Sequence, residues 1–448
     1  MGVVHAKEEG GCNMTRWIEA VLLRYDLTDS SMALYLRQFF KLIGVYVYEW
    51  RGKGNYETYI SNSDYFTDIV ILSNQYIQHH KLYFADYSEK TIFVIPDKKN
   101  YEALERMDAL QSKNVICCDF QNGRDKLLLD IIDKIQNIYV CENKVTHPFF
   151  DEWKILSGIY VQENMFDHMY ICEYFALDNK LFIAFSQAYK NVINKILEAW
   201  KAFPENSIYF QYAFLYLAYS VDEYCRRNND TYIYNIHNIN DIVTELCALA
   251  SHNHNVLLLK ARIKNDLLHD HKKAKEIYEE LSQSVNWGEI YFRLGLIKEK
   301  NEQNYLDAML NYQMAMRYLS EKSDIISQIA ECWDTVGDHL KAASAWSEVR
   351  DLLLNKCESN SLSLVECNHL YKASMELGDI WIKEQKNREA ILNAYASATV
   401  AYNIAIASNT TFPESIMSVY SITDLRNTIE LAMDRAELLK RLADIRRK

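Results

Sequence analysis

Glycine and proline are scarce in this chain, and the few present are unevenly distributed. Its 448 residues include 12 glycines and 4 prolines, and only four glycines and two prolines follow residue 158. Proteins built from many short strands need these residues at their turns. Because the long remainder of the chain has so few of them, that part is predicted to be helical.

Other absences narrow the class of function. The net charge is −12 and no basic cluster occurs, so nucleic-acid binding is not expected. The ten cysteines include no Cys-x-x-Cys pair, which favours free thiols in a reducing cytoplasm and indicates no metal site. No run of about 18 apolar residues occurs, so no membrane span or membrane partner is expected. Residues 1–15 lack an apolar segment and are interpreted as a flexible leader.

Short apolar runs alternate with amphipathic segments in the N-terminal part of the chain, up to about position 140. The apolar runs predict strands at 18–25, 45–50, 68–73, 91–97 and 114–120. Asp29 and Ser30 offer N-caps for a helix that ends at Gly44, and residues 123–138 predict a closing helix. Strands that alternate with helices indicate an α/β fold with a parallel sheet covered on both faces.

The order of these segments resembles a Toll/interleukin receptor (TIR) domain over about residues 17–140. The resemblance rests on RYD after the first strand, LIG before the second, the stretch ISNSDYFTDIVILSNQYI, and TIFVIPD as the fourth strand. It implies a flavodoxin-like fold that self-associates and, in some members, cleaves NAD with a glutamate on the helix after the third strand.

The family's Trp-Cys-x-x-Glu patch is missing from residues 73–90. The nearest acids are Asp86 and Glu89. A carboxylate must reach its target to act, and one helical turn displaces it by about 5 Å. Three alternatives remain: a non-catalytic assembly or sensing module, an NAD hydrolase that uses Asp86 or Glu89, or another flavodoxin-like domain. No cofactor is predicted, and NAD enters only as a candidate substrate.

Three segments of the helical part superpose at an interval of 34 residues. A small residue recurs at this interval, an aromatic residue follows four positions later, and a smaller apolar residue follows three after that. The three sets are Ala274, Ala308 and Ala342; Tyr278, Tyr312 and Trp346; and Leu281, Ala315 and Val349. This pattern resembles tetratricopeptide (TPR) repeats, which have a period of about 34 residues and in which antiparallel helix pairs stack into an α-solenoid.

A fourth unit follows at a longer interval. Leu377, Gly378, Trp381 and Ala390 have the family's spacings, but Ala390 follows Ala342 later than the period requires. The extra residues around 355–370 are predicted to lengthen a helix or a loop. Segments 209–225 and 240–250 look like a degenerate pair, and the C-terminal segment predicts an amphipathic capping helix.

The resemblance also implies a groove lined by the first helix of each pair, which usually binds a peptide or protein. The family's groove positions fall on Asp266, Glu289, Phe292, Glu299, Asp324, Ser327, Glu331, Asp334, Lys372, Met375 and Asp379. Seven of these eleven residues are acidic, which favours a basic or amphipathic partner. The alternative is that an acidic protein has acids on every exposed face.

Together these features predict five segments. They are a leader (1–15), a TIR-like α/β domain (16–140), a helical connector (141–205), a TPR-like solenoid (206–410) and a capping helix (411–448). The predicted function is protein interaction and signalling in a bacterial cytoplasm, with defence as its setting, a partner in the solenoid and TIR–TIR self-association. The alternatives are a TIR-type NAD hydrolase regulated by its repeats, and a scaffold whose α/β domain only caps the solenoid.

Overall fold

The computed structural model describes most of the chain. The described residues are 17–26, 29–50, 65–79, 87–96, 114–120, 123–143, 149–166, 179–203, 207–227, 236–319, 322–357, 362, 364–408 and 433–447. The predicted leader, residues 1–15, lies outside these ranges.

The N-terminal part forms one five-stranded parallel sheet in the order β2-β1-β3-β4-β5. The strands are β1 (Ala20–Arg24), β2 (Tyr46–Trp50), β3 (Thr67–Ile71), β4 (Thr91–Ile95) and β5 (Asn114–Cys117). Every residue of β1, β3 and β4 is buried, as in a sheet covered on both faces. The predicted parallel sheet is therefore confirmed.

Helices make up most of the remaining described chain. The first seven are α1 (Ser30–Leu42), α2 (Asn74–His79), α3 (Arg124–Asn143), α4 (Phe149–Gln162), α5 (Asn179–Lys201), α6 (Ile208–Arg227) and α7 (Ile236–Leu249). Four helix pairs follow: α8 (His254–Arg262) with α9 (His271–Ser284), α10 (Gly288–Lys300) with α11 (Tyr305–Tyr318), α12 (Ser323–Thr335) with α13 (His339–Cys357), and α14 (Leu364–Lys383) with α15 (Arg388–Ser408). The last is α16 (Arg435–Arg447). A π-helical turn, Ile263–Leu267, extends α8.

The nine residues of the repeat pattern all lie in the core. Ala274, Ala308 and Ala342 are fully buried, and the aromatic and apolar residues that follow them are at most 2% exposed. Small residues let the helices of a pair approach closely. Gly295 shows how closely, because a Cβ there would lie 2.4 Å from the ring of Tyr312. The predicted helical repeats are confirmed by this packing.

The turns between paired helices keep the same period. Asp270, Asn304 and Asp338 cap the second helix of three successive pairs, and each side chain accepts a backbone N–H three residues later, at 3.1–3.3 Å. The residue before each cap has a positive φ of 52°, 54° and 84°, at His269, Gln303 and Gly337. This left-handed residue ends the first helix and turns the chain into the second.

The fourth pair corrects one sequence assignment. Ala390 is only half-buried, whereas Ile391 is 8% exposed and Tyr395 is fully buried. Gly378 approaches the Tyr395 ring as Gly295 approaches Tyr312, so Ile391 occupies the position of Ala308. The inserted residues lengthen both flanking helices, since α13 has 19 residues against 14 in α11, and α14 has 20 against 13 in α12.

The sheet packs directly on the repeats. On one face, Ala20 and Leu22 of β1 share a hydrophobic cluster with Leu258 of α8 and Trp287, which precedes α10. The indole of Trp287 stacks on Tyr46 of β2, with ring centroids 4.4 Å apart and planes 3° from parallel. The two parts of the molecule therefore share a core.

Polar contacts reinforce this interface. The carboxylate of Glu19 forms an ion pair with His254, and its backbone carbonyl accepts a 2.9 Å hydrogen bond from Asn255 Nδ2. Gly44 ends α1 with a φ of 74° and lets the Tyr212 ring approach, since a Cβ would lie 3.0 Å from it. A connection of this kind leaves little room for the sheet to move independently of the repeats.

Helix α15 is the one described helix with the length and mean hydropathy (1.3) of a membrane span. Its apolar character has another explanation in the fold. Ala394, Ala398, Ala401 and Ala405 are fully buried and belong to the main hydrophobic core. Alanine is favoured here because it fits between closely packed helices.

Candidate functional site

The groove positions near the start of the repeats belong to a partly buried charge cluster. We call Arg262, Asp266, Glu289 and Arg293 the α8–α10 charge cluster. Arg262 Nε donates to Glu289 Oε1 at 2.8 Å, and Arg293 Nη1 donates to Asp266 Oδ2 at 2.9 Å. Tyr219 of α6 also donates to Asp266. The cluster thus connects three consecutive first helices of the array.

The electrostatics of Glu289 show how firmly this cluster is held. Burial by itself raises the pKa of Glu289, but Arg262 and Arg293 outweigh it and lower the pKa to about 2. A carboxylate with this pKa is fully charged and fully compensated at neutral pH. Asp266 and Glu289 therefore serve the packing of the repeats, and little of their charge faces a partner.

The other groove positions divide into buried and accessible residues. Glu299, Ser327 and Met375 are buried: Glu299 accepts the hydroxyl of Tyr312, and Ser327 donates to the carbonyl of Ser323 at 2.8 Å. Phe292 is partly buried, with its ring centroid 5.7 Å from that of Tyr312. The remaining five positions, on α12 and α14, are Asp324, Glu331, Asp334, Lys372 and Asp379.

Ion pairs cross between α12 and α14. Asp324 pairs with His369 Nε2 at 2.7 Å, and Glu331 pairs with Lys372. Each of these two acids of α12 therefore has a polar partner on α14. Asp334 contacts His339 at 2.8 Å, and both side chains remain more than a third exposed.

A local excess of acid remains at this end of the groove. We call Glu331, Asp334, Glu376 and Asp379 the four-acid patch. Burial raises the pKa of Glu376, and the charges of Asp379, Asp334 and Glu331 raise it further, while Lys372 lowers it. Mutual repulsion of this kind marks a local negative potential. Glu376 was not among the predicted groove residues, although it lies one turn from Lys372 on α14.

The structure describes one of the two catalytic candidates. Glu89 is exposed in the turn before β4, and its backbone carbonyl accepts a 3.1 Å hydrogen bond from Asn114 Nδ2. Among the described residues, Glu89 does not lie in a cleft. Asp86 lies outside the described residues.

The carboxyl ends of β1 and β3 hold a polar pair that the sequence did not reveal. Asp29 was expected to cap α1, but its side chain makes no cap hydrogen bond and instead accepts the hydroxyl of Ser73. Burial raises the pKa of Asp29 to about 6. The pair connects the two neighbouring strand ends at the centre of the sheet, and only the register of β1 beside β3 could have predicted it.

A second polar pair lies within the same sheet, on β1 and β3. Arg24 of β1 and Asp68 of β3 form an ion pair, and the two residues are only 6% and 3% exposed. Burial raises the pKa of Asp68 to about 7, although Arg24 lowers it. The Arg24 guanidinium also lies 5.0 Å from the centre of the Tyr87 ring. Arg24 therefore compensates the buried carboxylate only in part.

Comparisons with known proteins give only distant similarities. No protein-family profile matches the chain, and no curated protein matches it. One similar solved structure is YrrB, described as a TPR protein with an unusual peptide-binding site: 14% identity over 43% of this chain and 91% of that chain, with a TM-score of 0.28. Another is the APC/C hetero-tetramer Cut9–Hcn1: 13% identity over 77% of this chain and 70% of that chain, with a TM-score of 0.31. These scores are too low to carry an argument, so the repeat assignment rests on the chain's own geometry.

Proposed function

We propose that this chain is a protein-interaction module in which the helical repeats bind a basic segment of a partner and the α/β domain responds. The single observation that carries this proposal is that α8 and α10 each touch both parts of the molecule. Helix α8 begins at His254, which contacts the sheet, and carries Arg262 of the charge cluster. Trp287 precedes α10 and stacks on the sheet, while Glu289 and Arg293 lie in the first turns of α10. A shift of either helix would change the contact with the sheet and the α8–α10 charge cluster at the same time.

The accessible face of α12 and α14 supports a basic partner. Within the described helix pairs Lys372 contacts Glu331 and His339 contacts Asp334, and the charges of the other three acids raise the pKa of Glu376. Outside the pairs, Arg441 of α16 contacts Asp379. A segment with lysine or arginine would relieve this repulsion and gain charge-assisted hydrogen bonds. The groove residues on α8 and α10 would support binding indirectly, because they hold the repeats in place.

The topology of the α/β domain supports the proposal that this domain responds to partner binding. A parallel sheet of order 2-1-3-4-5 is the flavodoxin-like order, which TIR domains also have. With the TIR-like sequence order, this favours a domain that assembles with a second copy or senses a ligand, in signalling or defence. NAD hydrolysis remains the alternative, for which Asp86 and Glu89 are the acids to test.

Capture with matched variants tests the binding role. The groove variant carries Asp334→Asn, Glu376→Gln and Asp379→Asn, and the control carries three neutralised acids on the second helices: Glu276→Gln, Glu279→Gln and Glu280→Gln. The proposal expects a protein that is retained by the wild type and the control but not by the groove variant, with retention that falls as salt rises. Equal retention by all three proteins would refute the groove. Nicotinamide release by the wild type, lost in Asp86→Ala or Glu89→Ala, would instead establish the enzyme.

A further inference from the structure

The last helix of the chain has the chemistry that the groove is proposed to bind. Helix α16 has the sequence RAELLKRLADIRR, in which five bases outnumber two acids. Its apolar side is represented by Leu438, which is 2% exposed in the main core. A basic amphipathic helix is therefore already present in the molecule.

This helix is bound to the four-acid patch. Arg441 of α16 forms an ion pair with Asp379, a predicted groove position, and its Nε also contacts Glu437 at 3.0 Å. The carboxylates and the Tyr395 hydroxyl raise the pKa of Arg441 although burial opposes them. Asp379 in turn accepts a 2.6 Å hydrogen bond from the hydroxyl of Tyr395. One acid of the patch is thus neutralised by the chain's own arginine.

Further contacts hold α16 against α14 and α15. Tyr371 of α14 donates to the backbone carbonyl of Asp434 at 2.6 Å, and the Arg435 guanidinium lies 5.4 Å from the centre of the Tyr402 ring. Besides Leu438, two partly buried residues of α16, Leu442 and Ile445, pack against the main core. Much of the outer surface of α16 faces solvent, since the side chains of Lys440 and Leu439 are more than half exposed. The helix is thus held by its apolar side and by one ion pair to α14, while its outer side is accessible to a competitor.

We infer that α16 is an intramolecular stand-in for the partner, so that the partner presents a basic amphipathic helix and binds by displacing α16 from α14. This inference rests on the proposed function and specifies its partner and its regulation. A tethered segment acts at an effective concentration of about 1 mM or more, so it excludes weak competitors and yields only to a tighter one. Only the state with α16 released can bind the partner. The apparent affinity for the partner is therefore the intrinsic affinity multiplied by the fraction of molecules in that state.

A peptide-binding experiment tests this inference on the full-length protein. The probe is a fluorescent synthetic peptide of residues 433–448, and affinity is measured by anisotropy for the wild type and for Arg441→Glu. Removal of the internal competitor is expected to strengthen peptide binding by about tenfold. Adding Asp379→Asn to Arg441→Glu is expected to abolish that gain.

The control is Lys440→Glu, which makes the same charge change one residue earlier on the exposed side of α16. Its affinity for the peptide should equal that of the wild type. Amide hydrogen exchange provides a second readout: α16 should lose protection in Arg441→Glu while α15 keeps it. Equal affinity in wild type and Arg441→Glu, or joint loss of protection in α15 and α16, would show that α16 is only a structural cap.

The same variants separate this inference from the proposed function. If capture of a partner depends on the four-acid patch but is equal in wild type and Arg441→Glu, the groove binds a partner and α16 does not regulate it. If the peptide binds Arg441→Glu more tightly but no protein is captured, α16 is releasable and the proposed partner binding is refuted.

Discussion

The sheet and the helical repeats both bury charged side chains, and they compensate them differently. In the sheet, Asp68 has one arginine partner, and its Oδ1 atom has no hydrogen-bond partner among the described residues. Its pKa is raised to about 7. In the repeats, Glu289 has two arginine partners, and its pKa is lowered to about 2. The comparison shows that burial alone does not decide the charge of a carboxylate, because the number of cations around it does.

The largest expected effect comes from breaking the repeat cluster. Glu289→Gln leaves the partly buried Arg262 and Arg293 with a single carboxylate, Asp266. Removing one partner of a fully buried ion pair costs about 3–5 kcal/mol of the free energy of unfolding, which is the upper bound for these partly exposed side chains. Urea denaturation at pH 7 measures the loss, and Glu280→Gln on the exposed side of α9 is the control. A loss below about 1 kcal/mol would mean that the cluster is hydrated and weakly coupled.

The next effect concerns the contact that sets the distance between paired helices. Gly295→Ala places a Cβ against the Tyr312 ring, which should cost about 1–3 kcal/mol through overpacking. The matched control is Gly158→Ala in α4, where a Cβ meets nothing within 4 Å. There the same change should leave stability unchanged or raise it by up to about 1 kcal/mol. Equal effects at both positions would contradict the close packing of the pair.

The pH dependence of stability should also differ between the carboxylate in the sheet and the carboxylate in the repeats. The folded pKa of Asp68, about 7, lies above its ordinary value of 3.8. Between these values the folded protein binds more protons than the unfolded chain, so this group's contribution to stability falls as pH rises. Asp68→Asn should remove a negative slope of at most about 1.4 kcal/mol per pH unit from pH 4 to 7.

Glu289 should show the opposite sign. Its folded pKa of about 2 lies below the ordinary 4.5, so its contribution is present above pH 4.5 and is lost as pH falls from 4.5 towards 2. Denaturation curves at half-unit pH intervals, for the wild type and each variant, separate the two slopes. Parallel curves for wild type and Asp68→Asn from pH 4 to 7 would show that Asp68 is ionised throughout.

The smallest effect is expected at a helix cap. Asn304→Ala removes the side chain that accepts the backbone N–H of Asp307 and should cost about 1 kcal/mol. Asn304→Asp keeps an acceptor in place and should retain most of the stability. Thermal denaturation of both variants checks the difference, and an equal loss in both would exclude the cap as the cause.

The repeats could be predicted from the sequence because the same geometry recurs. Ala308, Tyr312 and their equivalents fill the same sites in successive pairs, so the spacing reports the fold directly. The capping residues Asp270, Asn304 and Asp338 carry the same period and could also have been found. In the fourth pair Ile391 follows Gly378 by the same 13 residues that separate Ala308 from Gly295, but Ala390 was assigned because it is the small residue beside that position.

The candidate site was less predictable because its residues meet across helices. Arg262 precedes its partner Glu289 by the same interval, 27 residues, as Asp266 precedes Arg293, and charge counting missed this repeated offset. The docking of Glu19 on His254 joins positions 235 residues apart, and no local pattern indicates it. Contacts of this kind follow from tertiary packing and not from residue spacing.

A double-mutant cycle tests most directly whether the α8–α10 charge cluster and the sheet are coupled. Glu19→Gln perturbs the sheet end of α8 at His254, and Asp266→Asn perturbs the charge cluster in the π-helical turn that extends α8, roughly 18 Å away. Urea denaturation of the wild type, both single variants and the double variant gives the interaction free energy. The account predicts a value above about 0.5 kcal/mol, carried by α8 and α10 as shared elements. Additive effects, within about 0.3 kcal/mol, would show that the sheet and the α8–α10 charge cluster are independent and would contradict the proposed coupling.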